Sequence, residues 1–157
     1  MTTITPCLWF DGNGQEAAEL YVSVIPNSRV TDMSHYGPDQ GGAVMTVSFE
    51  LAGQAYLALN GGPQYKFTEA ISFMITCESE AELDHYWERL CDGGEPGPCG
   101  WLKDRFGLSW QVVPDGMIEL FMSEDREAAS RAMAAMMKMG KLDLAVVREA
   151  YEGVAAR

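Results

Sequence analysis

Residues 99–111 read CGWLKDRFGLSWQ, and this stretch decides the predicted fold. Apolar and aromatic residues lie on both sides of the turn signal Phe106-Gly107, so Trp101–Arg105 and Leu108–Val113 predict a β-hairpin. Before the hairpin, Glu95–Cys99 predicts a short strand that two prolines interrupt. The chain therefore runs through three consecutive β-segments here.

A strand and a helix precede these segments. Ile71–Cys77, which reads ISFMITC, is apolar and predicts a strand. Ser79 and Glu82 have the spacing of a capping box and predict the start of a helix. Gly93-Gly94 supplies the residue type that favours a left-handed helix end. The order is therefore β-α-β-β-β over about residues 71–113.

The same order is predicted once before, over about residues 4–60. Ile4–Phe10 predicts a strand, and Asn13 with Glu16 predicts a capped helix over Gln15–Ile25. Three further strands are predicted over Arg29–Tyr36, Ala43–Leu51 and Gln54–Asn60. A repeated unit of this kind predicts two sheets that face one another, with a cleft between them as the natural ligand site.

The last part of the chain differs from both repeats. Met117–Met122 predicts a short strand or extended segment, and Ser123 predicts the N-cap of a helix over Arg126–Met139. Gly140 ends that helix, and Leu142–Tyr151 predicts one more. Six of the ten methionines lie after residue 114. They either pack this tail onto the sheet or form a subunit interface, and the sequence leaves both readings open.

Charge and composition exclude several classes of function. The chain has 157 residues, of which 47% are apolar, and a formal net charge of −12, so one domain with a sizeable core is expected. Residues 1–99 carry 14 acidic and 3 basic residues, which disfavours nucleic acid and anionic membranes as partners. The sequence has neither a transmembrane run nor a signal peptide at its start. A cytoplasmic location with reduced cysteines is therefore expected.

Several motifs carry a family resemblance. They are Phe10-Asp11-Gly12-Asn13, Gly62-Pro63, Glu69-Ala70-Ile71-Ser72-Phe73, Tyr86-Trp87 and, most specifically, residues 99–111. Together they resemble the PhnB-like branch, labelled demethylubiquinone methyltransferase-like, of the glyoxalase/bleomycin-resistance/dioxygenase superfamily. The tail, with Met137–Leu144 and Ala150–Gly153, resembles that branch's C-terminal extension.

The resemblance implies an α+β vicinal oxygen chelate (glyoxalase-like) fold. The whole chain, residues 1–157, would form a single domain. It would contain two βαβββ modules, over about 4–60 and 71–113, followed by a C-terminal strand and helices over 115–153. The resemblance also implies a homodimer.

The superfamily's enzymes hold a divalent metal with side chains from strands one, four, five and eight. By resemblance, Gln111 stands at the strand-eight Glu position, and Ala70 stands at the strand-five His position. The fourth strand has no carboxylate or His, and the first offers only Cys7. Glu69 is the one carboxylate near these positions. The usual metal site is therefore predicted to be absent or heavily altered, and no cofactor is predicted.

A cleft lined by aromatic and neutral polar side chains remains as the predicted ligand site. Its candidate residues are Trp9, Tyr56, Asn60, Trp101, Ser109 and Gln111. Ser109 and Gln111 share one face of their strand by alternation, whereas Trp110 points to the other face, towards a helix. Such a lining suits a flat neutral or cationic small molecule. Cys99 is the candidate for a reactive thiol.

Three functions from different classes stay open at this point. The first is binding of a small molecule without a metal. The second is a metal-dependent lyase, isomerase or dioxygenase with atypical ligands, among them Glu69, Gln111 and Cys7. The third is an interaction protein without a ligand. Methyl transfer is disfavoured. Asp11–Gly14 is the one glycine-rich turn that superficially resembles a cofactor loop. It is a short connection between a strand and a helix of a βαβββ unit, and a single turn of this kind is weak evidence for a cofactor site. Whether the chain is an enzyme stays undecided.

Overall fold

A computed structural model describes residues 1–154 of the chain. The chain divides into two units, residues 1–67 and residues 68 onward, and each unit contains one four-stranded mixed sheet. This α+β arrangement of two strand-helix repeats followed by a helical tail confirms the predicted fold class. No helix among the described residues is long and apolar enough to cross a membrane.

The first unit contains one long helix and four strands. They are β1 (Cys7–Phe10), α1 (Gly14–Val24), β2 (Arg29–His35), β3 (Val44–Leu51) and β4 (Gln54–Asn60), with a single 3-10 turn at Pro38–Gln40. The strand order is β1-β4-β3-β2, in which β1 and β4 run parallel and the other pairs run antiparallel. The hairpin between β3 and β4 turns at Ala52 and Gly53, as predicted, and both have positive φ.

Helix α1 covers one face of this sheet. Val47 and Phe49 on β3 are buried, and the Tyr21 ring of α1 lies 6.4 Å from that of Phe49. Ala17 and Val24 of the helix are buried as well. Because side chains alternate along a strand, the residues between the buried ones belong to the opposite face.

The start of α1 is held by a residue that the sequence did not indicate. Asn13 occupies the N-cap position, as predicted, but its side chain makes no capping hydrogen bond. Instead, the amide of Gly14 donates to Asn60 Oδ1 (2.8 Å), and Asn60 Nδ2 donates to the carbonyl of Val44 (3.0 Å). A Cβ atom at position 14 would lie 2.8 Å from Asn60 Oδ1, which explains the glycine there. The acceptor thus comes from the end of β4, far away in sequence.

The second unit repeats this plan. Its elements are β5 (Ser72–Cys77), α2 (Glu80–Cys91), β6 (Glu95–Pro96), β7 (Trp101–Lys103) and β8 (Ser109–Pro114). The strand order is β5-β8-β7-β6, with β5 and β8 parallel. Ser79 Oγ accepts from the amide of Glu82 at 3.2 Å, which confirms the predicted cap of α2. Gly93 follows the helix with a φ of +74°, as predicted for its end.

The tail contains three helices and no strand in its described part. They are α3 (Met117–Phe121), α4 (Arg126–Met136) and α5 (Leu144–Glu152). The predicted strand over Met117–Met122 is wrong, because Met117, Leu120 and Phe121 have helical spacing and the αL residue Gly116 turns the chain before them.

The cap of α4 also differs from the prediction. Asp125 accepts from the amide of Ala128 at 3.0 Å, so Asp125 and not Ser123 is the N-cap. The hydroxyl of Ser123 bonds to that of Tyr151, at 2.6 Å, which ties α5 to the segment between α3 and α4.

A buried carboxylate organises the turn between β7 and β8. Asp104 is 3% exposed. Its Oδ1 accepts from the amides of Phe106 (2.8 Å) and Leu108 (3.1 Å), and its Oδ2 accepts from the indole N–H of Trp110 (2.9 Å). Hydrogen bonds to an ionised group are stronger than neutral ones. This carboxylate therefore fixes both the turn and the orientation of Trp110.

We expect Asn60→Ala to lower the free energy of unfolding by about 1–3 kcal/mol, because it leaves a buried backbone amide and a carbonyl without partners. Asn13→Ala, the matched control, should change it by less than about 0.5 kcal/mol, because Asn13 is exposed and makes no cap bond. Urea unfolding measures both values. Similar losses for the two variants would contradict this assignment.

Asp104→Asn should lower the free energy of unfolding by about 2–4 kcal/mol, because the new amide nitrogen would face the Trp110 indole N–H, donor against donor. The control is Asp92→Asn, since Asp92 pairs with Arg105 at an exposed position and its loss should cost less than about 1 kcal/mol. Chemical denaturation again provides the measurement. A loss at Asp104 no larger than that at Asp92 would refute the structural role.

Candidate functional site

Helix α2 covers one face of the second sheet. Trp110 of β8 lies on that face, with its ring 5.3 Å from that of Phe73 on β5. By alternation, Cys77 lies on the same face of β5 as Phe73. Burial raises the pKa of Tyr86 on α2, and the charges of Glu82 and Cys77 raise it further, which indicates that Cys77 lies near this tyrosine. The side chains on the opposite face of the sheet point away from α2.

We call this opposite face the polar face. By alternation and strand register it consists of Ser72, Met74, Trp101, Lys103, Ser109 and Gln111. Trp101 is the direct cross-strand partner of Gln111, and Lys103 is that of Ser109. Three of the predicted ligand residues, Trp101, Ser109 and Gln111, are therefore brought together here.

Two of these side chains differ in how they are satisfied. Gln111 Nε2 donates to Ser72 Oγ at 2.9 Å, which fixes the orientation of the amide. Ser109 is fully buried, and its hydroxyl has no hydrogen-bond partner within the described chain. An unpaired buried hydroxyl costs about 1–3 kcal/mol. Because this oxygen is also closed to solvent, a molecule bound on the polar face bonds to it only after the side chains that cover it move.

The charges of the polar face neutralise one another. Lys103 Nζ forms an ion pair with Glu69, and both side chains are substantially exposed. The hydrogen bond from Lys103 lowers the pKa of Glu69, and the same pair raises the pKa of Lys103. Glu69 is thus a paired carboxylate, and the face presents no net charge from these two residues.

The other predicted ligand residues lie in the first unit. Tyr56 stacks on Phe49 with ring centroids 5.5 Å apart, so its ring lies on the face that α1 covers. Asn60 is on that face too, bonded to Gly14 and Val44, although it also borders a cavity of about 330 Å³. Tyr56 and Asn60 therefore have packing and capping contacts.

Trp9 is the predicted ligand residue on the opposite face of the first sheet. It alternates with the buried residues Leu8 and Phe10, which places it on the face that α1 does not cover. Its indole N–H donates to the carbonyl of Gly62 at 2.8 Å, and its ring meets that of Tyr65 edge-on. The indole is thereby held in one orientation.

The cysteines give no sign of an activated nucleophile. Cys99 is half-buried with a φ of +57°, and its backbone amide donates to Met139 O at 2.8 Å. Lys103, the nearby cation in the sequence, is paired with Glu69. Desolvation raises the pKa of Cys7 although that residue is exposed overall, and this disfavours its thiolate.

The residues that the resemblance places at or beside the superfamily's metal positions do not fit a divalent cation. Gln111 is neutral and bonded to Ser72, Ala70 has no donor atom, and Glu69 is paired with Lys103. Within residues 1–154, no three His, Cys, Asp or Glu side chains are grouped so that they could hold a metal.

Two polar members of this face, Ser72 and Lys103, were not among the predicted ligand residues. Ser72 lies opposite Ser109 only because β5 and β8 are parallel and in a particular register. Lys103 joins them through antiparallel pairing of β7 and β8. The one local hint was a serine within the apolar run ISFMITC.

Comparison with known proteins gives a family match over most of the chain. Residues 2–113 match the model of the family described as 3-demethylubiquinone-9 3-methyltransferase. The tail that follows lies outside this match. No curated protein matches the chain.

Solved structures with this fold include one of clear sequence similarity. It is described as a 3-demethylubiquinone-9 3-methyltransferase, PhnB protein, from Bacillus cereus, with 31% identity and a TM-score of 0.65 over 72% of this chain and 99% of that chain. Protein PA1353 from Pseudomonas aeruginosa has 22% identity and a TM-score of 0.62, over 73% and 98%. The fosfomycin resistance protein FosX from Listeria monocytogenes has 18% identity and a TM-score of 0.51, over 76% and 97%. The last two show a shared fold alone.

Proposed function

The chain belongs to the PhnB-like family of the vicinal oxygen chelate superfamily, and we propose that it binds a flat, neutral or cationic small molecule on the polar face without a metal. The observation that carries this proposal is the Ser109 hydroxyl, which is buried and has no partner within the described chain. A protein keeps such a group at a cost of about 1–3 kcal/mol, and a ligand that bonds to it recovers that cost.

Neighbouring side chains add recognition of shape. Trp101 is half-buried and offers an aromatic surface beside Gln111. Because Ser72 holds the amide nitrogen of Gln111, the amide oxygen is the part that remains to accept a hydrogen bond. An aromatic surface next to a hydroxyl and an oriented amide suits a planar ring that carries polar substituents.

The charge of this surface favours a neutral or cationic molecule over an anion. The ammonium group of Lys103 is already paired with Glu69. An anionic ligand would have to compete with that carboxylate for the cation. A tryptophan face, in contrast, attracts cations.

The glycine-rich turn at Asp11–Gly14 does not support methyl transfer, which is the reaction in the family's description. The amide of Gly14, which a cofactor would need, is bonded to Asn60. That turn therefore serves to start α1, and methyl transfer forms no part of the proposed function. The homodimer implied by the resemblance remains a prediction, which sedimentation of the untagged chain would test.

The proposal is tested with three probes that share one ring but differ in charge, namely nicotinamide, 1-methylnicotinamide and nicotinate. We expect the neutral and cationic probes to shift the NMR signals of the Trp101 indole and the Gln111 side-chain amide, and nicotinate to bind more weakly. Ser109→Ala should weaken binding about three- to tenfold, by loss of one hydrogen bond. The same variant should leave the free energy of unfolding unchanged or raise it by up to about 1 kcal/mol.

Ser130→Ala, at an exposed serine of α4, serves as the matched control and should change neither quantity. The proposal fails if neither the neutral nor the cationic probe perturbs the polar face. It also fails if Ser109→Ala lowers stability as the loss of a paired hydroxyl would, while binding is unchanged.

A further inference from the structure

A second candidate site lies where the tail meets the family fold, and it is separate from the polar face. A cavity of about 410 Å³ lies within the second unit, bordered by the start of α2, the ends of β5 and β8, and the start of α5. This volume is in the range of small-molecule sites. Much of the lining comes from residues after 113, which the family match does not include.

The floor of the cavity is apolar. Leu83 of α2 and Leu142 of the tail are both buried there, and Pro114 closes the end of β8. Cys77 completes the floor, and burial, followed by the charge of Glu82, raises the pKa of its thiol to about 11. At neutral pH the thiol is therefore uncharged, and the floor suits a hydrocarbon group.

Two carboxylates stand side by side at the rim. Cys77 and Pro114 are register partners in the parallel pair β5–β8, so Glu78 and Asp115 directly follow neighbouring strand ends. The amide of Asp115 donates to the carbonyl of Cys77 at 2.8 Å, which holds the two strand ends together. Both residues line the cavity, and neither side chain forms a hydrogen bond or ion pair with the described residues. Two negative charges on neighbouring strand ends favour a cation at this rim.

The remaining charges of the rim are mostly engaged elsewhere. Asp84 pairs with Lys141, and Asp143 caps α5 by accepting from the amide of Val146. Glu80 lies in the first turn of α2, where a negative charge is favourable. Arg148 also lines the cavity and adds one positive charge, with a guanidinium nitrogen 3.3 Å from where a Cβ atom at Gly116 would stand. The rim thus retains a net negative charge.

We propose that this cavity binds a small organic molecule that carries one protonated amine and an apolar group. The ammonium lies between Glu78 and Asp115 and donates a charge-assisted hydrogen bond to each carboxylate. The apolar group lies on Leu83, Leu142 and Cys77. Because the tail supplies Asp115 and Leu142, this binding site belongs to the extended chain and is absent from the family fold without a tail.

The test uses probes that share a phenylethyl group, namely 2-phenylethylammonium, 2-phenylethanol and 3-phenylpropionate. We expect a saturable NMR titration with the ammonium, with shifts at Glu78, Asp115 and Leu144. The alcohol should bind about tenfold more weakly, because it lacks the charge, and the carboxylate should be weaker still. Glu78→Gln and Asp115→Asn should each weaken ammonium binding about tenfold on the same grounds.

Glu124→Gln is the matched control, because Glu124 is exposed and outside the cavity, and it should leave the affinity unchanged. Ala145→Trp places a bulky side chain at the exposed edge of the cavity and should abolish binding while every carboxylate is kept. Unfolding midpoints verify that each variant is folded. Binding of the carboxylate as tight as that of the ammonium, or shifts confined to the polar face, would overturn the proposal.

Discussion

The buried carboxylate of Asp104 is the contact on which the candidate site depends. It accepts hydrogen bonds from two amides of the β7–β8 turn and from the Trp110 indole, and so fixes where β8 begins. Side chains alternate along a strand, and a slip of one residue would exchange its two faces. Because Trp110 is held on the α2 side, Ser109 and Gln111 must lie on the polar face. The turn therefore determines the chemistry of that face as well as the path of the chain.

Local signals in the sequence were sufficient for most of the fold. The hairpin at Ala52-Gly53, the cap of α2 at Ser79 and the orientation of Trp110 are each specified by a few neighbouring residues. The contact that holds the start of α1 was not predicted, because its acceptor is Asn60, on a strand that is near only after folding. The segment that forms α3 is short and apolar, and such segments are ambiguous between helix and strand unless spacing is weighed.

The sequence predicted the grouping of site residues only where they lie on the same strand. Alternation within β8 was enough to place Ser109 and Gln111 together. Tyr56 required the register of β3 against β4, which pairs it with Phe49 on the α1 side. Ser72 on the polar face, and Asp115 beside Glu78 at the tail cavity, depend on the parallel register of β5 and β8. No local pattern encodes such a register.

Membership of the family does not determine the chemistry of this chain, because one fold serves many functions. The family match fixes the two-module architecture, while the resemblance places a neutral amide and an alanine at two of the metal positions, with a paired carboxylate beside them. The most direct test of a metal-free polar face is paramagnetic NMR of the untagged chain with substoichiometric Mn²⁺. The account predicts that the Gln111 side-chain amide and the Ser72 and Ala70 signals stay sharp while exposed acidic positions broaden. Selective broadening of those three residues at the lowest Mn²⁺ additions would contradict it.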